Sequence, residues 1–195
     1  MEGQKTINKV ITEAGYKNAA KRIGCEVAVI KAVAEVESNG SGWLNDGQLK
    51  ILFEPHVFWR CLIKQKIIPT RSNVCYPKWG TLPYGKTSEQ HGKLQKAIEV
   101  NRSCALMGAS WGAFQILGEN YLLCGCKSIQ EFINKMGESA DSQLMLFCEF
   151  VISCGLSDEL RLKQWEKFAS IYNGKGYKKN NYHVKLPIAY KKHKV

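Results

Sequence analysis

The chain lacks any apolar run of about 18 or more residues, the length a membrane-spanning helix needs, which excludes stable insertion into a bilayer. Its opening stretch, MEGQKTINKVITEAGYKNAA, has no apolar h-region of the kind that directs secretion, so a cytoplasmic start is expected. No internal repeat and no low-complexity linker interrupts it, and one domain over residues 1–195 is expected. The eight cysteines (Cys25, Cys61, Cys75, Cys104, Cys124, Cys126, Cys148, Cys154) include no Cys-x-x-Cys pair, and no histidine sits at zinc-finger spacing. No metal and no cofactor therefore has a signature. In a chain made in a reducing compartment, buried free thiols are the expectation. Acid is also scarce: 17 Asp and Glu stand against 28 Lys and Arg, a formal net charge of +11. That excess suits a polyanionic partner (nucleic acid, an anionic membrane, or a bacterial wall rich in carboxylate and phosphate), and charge alone does not choose among them.

What is present is globular: 45% hydrophobic and 23% charged residues exclude a disordered chain. Residues 12–23 read as a helix stopped by Gly24. Residues 26–37, EVAVIKAVAEVE, are apolar almost all round, which predicts a central buried helix ending at a Ser-Asn-Gly-Ser-Gly turn cluster. Asn45-Asp46-Gly47 between apolar runs signals a hairpin, and Pro55 suits the first turn of the next helix. Residues 66–87 carry Pro69, Pro77 and Pro83 with Tyr76, Trp79 and Tyr84, and read as a long irregular loop. Loops of that length inside a compact domain usually serve function. Helical patterns resume at 88–101, 119–124, 128–136, 141–154 and 157–170, and the basic tail is predicted to end in a short helix. The sum is an α+β chain, mostly α, with helices around a small β-hairpin.

Glu37 is the first candidate for chemistry. It ends the apolar helix, near that helix's negative pole and in poor solvent, and both effects disfavour a carboxylate. A glycosidase needs such a carboxyl, still protonated near neutral pH, to protonate the leaving oxygen. The ordinary alternative is a solvated helix-end glutamate. Beyond Ser38, the hairpin would present Asp46 at its tip and Glu54 at its far end. An inverting glycosidase places its base carboxylate roughly 6.5–9.5 Å from the acid. Yet Asp-Gly is common turn chemistry, Glu54 beside Pro55 is common helix N-terminal charge, and a lone His56 more often serves structure. In Gly112-Ala113-Phe114-Gln115, two small residues permit close backbone approach, and the Gln115 amide sits beside apolar Phe114 and Ile116, a combination that suits sugars. It also reads as a packing site. Tyr172-Asn173-Gly174 follows an amphipathic stretch; the tyrosine hydroxyl is a candidate to orient a carboxyl, and Asn-Gly is equally a helix C-cap.

Glu-Ser, then Gly-x-x-Gln, then Tyr-Asn-Gly resembles the motif order of goose-type lysozymes and soluble lytic transglycosylases. AVAEVESNGSGWLNDGQLKILFEPHVFWR, ASWGAFQILGENY and IYNGKGYKKNNYHVKLPIAY are more closely similar to blocks of the N-acetylmuramidase domain of phage endolysins. The resemblance runs from about residue 10 to the C-terminus. It implies a lysozyme-like fold and lysozyme-type hydrolysis of the β-1,4 bond between N-acetylmuramic acid and N-acetylglucosamine. It also implies Glu37 as acid and Ser38, Phe114, Gln115, Tyr172 and Asn173 as substrate-binding residues. The resemblance does not settle the second carboxylate, and both candidates are expected to be catalytic: Asp46, nine residues after Glu37, a spacing similar to that in one class of phage lysozymes, to handle the water, and Glu54, which belongs to the family block, as a supporting or alternative base. No wall-binding module is evident, and the net charge is a candidate substitute. The expected partner is bacterial peptidoglycan. The chain is expected as a monomer that waits in the host cytoplasm for a holin-type pore.

Two rivals remain at this level. A lytic transglycosylase would use Glu37 alone and form an anhydro ring. A non-catalytic basic wall-binding or nucleic-acid-binding protein would use the lysines and Tyr177, Tyr182 and Tyr190 of the tail. Against nucleic acid, no helix-turn-helix, zinc-finger or RNA-recognition signature is found.

Overall fold

The computed structural model of the chain describes residues 7–38 and 41–194. Helix α1 (Glu13–Ile23) starts where Thr12 Oγ1 accepts the Gly15 N–H at 2.9 Å and stops at Gly24, whose φ of 82° is left-handed. Helix α2 (Val27–Glu37) follows, with Val29, Ile30, Ala32, Val33 and Ala34 buried; this is the predicted central helix. Strand β1 (Ile51–Phe53) leads into helix α3 (Pro55–Lys64), with proline at the first turn as expected. After an irregular segment come α4 (Gln90–Val100), α5 (Arg102–Met107), β2 (Ala109–Trp111) and β3 (Ile116–Leu117). The remaining helices are α6 (Ile129–Glu138), α7 (Ala140–Ser153), α8 (Ser157–Arg161), α9 (Trp165–Tyr172) and α10 (Tyr182–His193).

Helix α10 closes the molecule over α2. It buries Leu186, Ala189 and Tyr190, and the Tyr190 hydroxyl donates to Glu26 at 2.7 Å. At its far end Lys192 Nζ and His193 Nε2 lie 2.9 and 2.8 Å from Glu35. The apolar all-round character of α2 is thereby explained: α1 covers one side and α10 another.

The sheet differs from the sequence expectation. Residues 43–49 form the Asp46–Gly47 turn but only one antiparallel bridge, Trp43 to Leu49. The hairpin of the molecule is β2–β3, with Ser110 opposite Leu117, and β1 joins its outer edge with Ile51 opposite Trp111. Strands of two or three residues carry too little alternation to be read in sequence, and their pairing is decided by partners far along the chain. The single pattern over 157–170 is two helices, broken where Lys163 takes a left-handed φ of 56°. Residues 119–124 hold a 3₁₀ turn and further turns rather than an α-helix.

The cysteine expectation also needs correction. Cys61 on α3 and Cys104 on α5 form a disulfide, with Cα atoms 5.4 Å apart. They stand 43 residues apart in sequence and meet only because α3 packs on α5, a juxtaposition no spacing rule reveals. Cys75, Cys124, Cys126 and Cys148 are buried thiols as expected, whereas Cys25 is half-buried and Cys154 exposed.

Candidate active site

The end of α2 delivers Glu37 to a cleft of about 520 Å³. One wall comes from β3 and its flanks (Lys50, Gln115, Ile116, Leu117, Asn120), the other from α7, α9 and α10 (Phe150, Tyr172, Asn173, Tyr182). No basic residue occupies the last turn of α2, so nothing on that helix offsets a charge at its negative pole. Burial is the main influence on the Glu37 carboxyl and pushes its pKa up to about 7; the Asn173 hydrogen bond and the Lys185 charge pull more weakly downward. A carboxyl in that range is protonated in a useful fraction near neutrality and can give its proton away.

The residue that touches Glu37 is Asn173, whose Nδ2 donates to Oε1 at 2.9 Å. Asn173 is the C-cap of α9, and its side chain is aimed by that helix end. Tyr172 does something else. Its ring stacks on Phe168 (5.4 Å) and meets Phe147 and Phe150 edge-on (5.4 and 6.0 Å), while its hydroxyl donates to the Phe114 carbonyl at 3.3 Å. It fixes the β2–β3 turn against the helices rather than bonding the acid. Its own pKa is driven well up, first by burial and then by the nearby Glu37.

The Gly112–Gln115 block is that turn. Gly112 has φ +72°, and a Cβ there would lie 2.7 Å from Gln143 Oε1, so the backbone approach is one only glycine permits. Gln143, fully buried in α7, accepts from Ala113 N at 2.8 Å and donates to Met136 O at 2.7 Å. Gln115 takes a left-handed φ of 48°, an uncommon conformation for a residue with a side chain. Its amide donates to Gly112 O at 2.8 Å and faces the cleft. Phe114 lines the same cleft but is buried, stacked on Phe147 at 4.7 Å.

Five of the residues singled out in the sequence thus meet: Glu37, Phe114, Gln115, Tyr172 and Asn173. Three do not. Ser38 borders a separate hollow of about 490 Å³ on the opposite face of α2, with Tyr16, Lys31 and Glu35. Asp46 is exposed, and its Oδ1 accepts the Gln48 N–H at 3.0 Å, which is turn chemistry. Glu54 sits at the far end of β1, where the Tyr84 hydroxyl donates to Oε2 and His56 Nδ1 lies 3.6 Å away. Among the described residues lining the cleft, Glu37 is the one carboxyl. Lys50, Asn120 and Phe150 had no signal in the sequence, and Tyr182 and Lys185 were singled out only as part of a basic, tyrosine-bearing tail; they are scattered over loops and helices, and only the packing of α10 on α2 gathers the last two.

The N-acetylmuramidase family matches residues 26–194. The crystal structure of the Burkholderia AP3 phage endolysin superposes with a TM-score of 0.89 at 35% identity, covering 98% of this chain and 73% of that one. No curated protein sequence matches. With most of its length inside the family match and a lysozyme-like arrangement of helices about a three-stranded sheet, the chain belongs to the N-acetylmuramidase family of peptidoglycan hydrolases.

Proposed function

We propose that this chain is an endolysin-type muramidase that cleaves the β-1,4 bond between N-acetylmuramic acid and N-acetylglucosamine in bacterial peptidoglycan, with Glu37 as general acid. The observation that carries this reading is a carboxyl held near neutral pKa in the wall of an open cleft. Glu37 gives its proton to the glycosidic oxygen as the bond to C1 breaks. The carboxylate that results then accepts a proton from the water whose oxygen bonds to C1, and Glu37 ends protonated as it began. Asn173 steadies the carboxyl through both steps, its N–H favouring the charged form that arises between them. The Gln115 and Asn120 amides, with the Tyr182 ring, offer hydrogen bonds and an apolar face to the sugars along the cleft.

No proton transfer is assigned to Asp46 or Glu54, because neither borders the cleft. That single carboxyl also favours a second reading. The 6-hydroxyl of the muramic acid, deprotonated by Glu37, attacks C1 in place of water and leaves an anhydro end. Mass spectrometry of digested wall separates the two: reducing ends are expected, and anhydromuramic ends in their place overturn hydrolysis. Glu37→Gln is expected to release no fragments under the same conditions, and wild-type clearing by that variant removes Glu37 from the mechanism. By its likeness to a phage endolysin, the chain acts on the cell wall once a membrane-permeabilising partner has opened the way to it.

A further inference from the structure

The irregular segment 66–87, singled out in the sequence and unused by the cleft, ends in a tryptophan of unusual setting. Trp79 is 73% exposed, and its indole lies beside the Tyr84 hydroxyl, which donates to Glu54. The backbone beneath is tied down as well. Gln90 donates to the carbonyls of Tyr84 and Lys86 at 2.8 and 3.0 Å and accepts from Phe53 N at 3.0 Å; Lys93 adds a bond to Tyr84 O at 2.6 Å. A large apolar ring left in water on an anchored backbone has less entropy to lose when a partner arrives, a condition under which stacking adds to affinity.

The charge around it is one-sided. Between Glu54 and Glu89 the chain carries Arg60, Lys64, Lys66, Arg71, Lys78 and Lys86 and no acid. Among the described residues, neither Arg71 nor Lys78 forms an ion pair. Strand β1 links the loop to the cleft: Lys50 borders the cleft and Glu54 anchors Tyr84, four residues or roughly 13 Å of strand away. A polymer of N-acetylated sugars bearing carboxylates on peptide stems matches all three features, since its rings have an apolar C–H face, its stems are anionic, and its length exceeds that span.

We infer that residues 66–87 form an accessory binding surface for the peptidoglycan strand, with the Trp79 ring as platform for one hexosamine and Arg71 and Lys78 for stem carboxylates. The inference deepens the proposed function and rests on it for the identity of the polymer.

The test uses full-length protein carrying Glu37→Gln, so that substrate survives, and measures sedimentation with purified sacculi across protein concentration. Adding Trp79→Ala is expected to weaken binding about tenfold, the loss of one good aromatic contact. Trp79→Tyr should recover most of it, and Arg71→Gln with Lys78→Gln should weaken binding further and flatten its salt dependence. A thermal midpoint within about 2 °C of the parent confirms that the exposed substitution leaves the fold intact. Sacculus binding unchanged by Trp79→Ala overturns the inference. So does a loss confined to anionic phospholipid vesicles or to single-stranded oligonucleotide, which assigns the ring to another partner. Failure of the wild type to release wall fragments would instead strike the proposed function, because the binding measurement involves no turnover.

Discussion

Glu37 stands at the crossing of two demands, since the burial that fits it to the proposed role of proton donor is unfavourable for the fold once the proton leaves. Its folded pKa of about 7 lies above the ordinary 4.5. Between those values the folded chain holds a proton that the unfolded chain has released, so stability falls as pH rises through that window. Glu37→Gln removes the effect. Its thermal midpoint is expected above wild type at pH 8 and level with it at pH 4, and a midpoint lower at both would show that the carboxyl contributes packing rather than strain. Activity has the complementary dependence. An acid catalyst must be protonated, so kcat/KM is expected to fall on the alkaline side with a midpoint near 7. Asn173→Ala deletes a bond that favours the carboxylate, so this alkaline limb should move to higher pH in a pH–rate profile. A limb that moves to lower pH would contradict the contact's assigned role. Glu37 was legible in sequence because its cause is local: an apolar helix and the turn that ends it. The Asn173 partnership was not, since it joins residues 136 positions apart.

At the scale of elements, the β2–β3 turn depends on a helix far from it in sequence. Gln143 bridges the Ala113 N–H and the Met136 carbonyl in a site with no water access. Gln143→Leu leaves both groups unsatisfied and is expected to lower stability by about 3 kcal/mol in denaturant unfolding. Activity should fall as well, because Phe114 and Gln115 ride on that turn; a variant of wild-type stability would show that the turn holds itself. Nothing in the sequence marks Gln143, one polar residue among several in α7. The hairpin expected at Asn45-Asp46-Gly47 forms only as a short one, with a single Trp43–Leu49 bridge, because Ile51–Phe53 beyond it pairs with Ala109–Trp111.

At the scale of the molecule, charge is unevenly distributed. Residues 167–195 hold eight lysines and no acid, so the rest of the chain accounts for only +3 of the net +11 (11 − 8). Much of that basic segment is α10, which seals α2 and brings Tyr182 and Lys185 to the cleft. Attraction to an anionic wall should therefore be felt at the cleft's own border. Sacculus binding is expected to weaken steadily from about 0.1 M to 1 M salt as the screening length contracts from about 10 to 3 Å. Binding indifferent to salt would mean that charge has no part in it.

By itself the sequence determined the helical class, the buried central helix, the glutamate at its end and the excess of positive charge. Each of these follows from periodicity, capping or composition within a short stretch of chain. Tertiary structure alone decided which strands pair, that Cys61 meets Cys104, that Asn173 and not Tyr172 bonds Glu37, and that Asp46 and Glu54 stand outside the cleft. Those outcomes depend on contacts between residues distant in the chain, where the closure of the whole core, rather than any local preference, sets which side chains become neighbours.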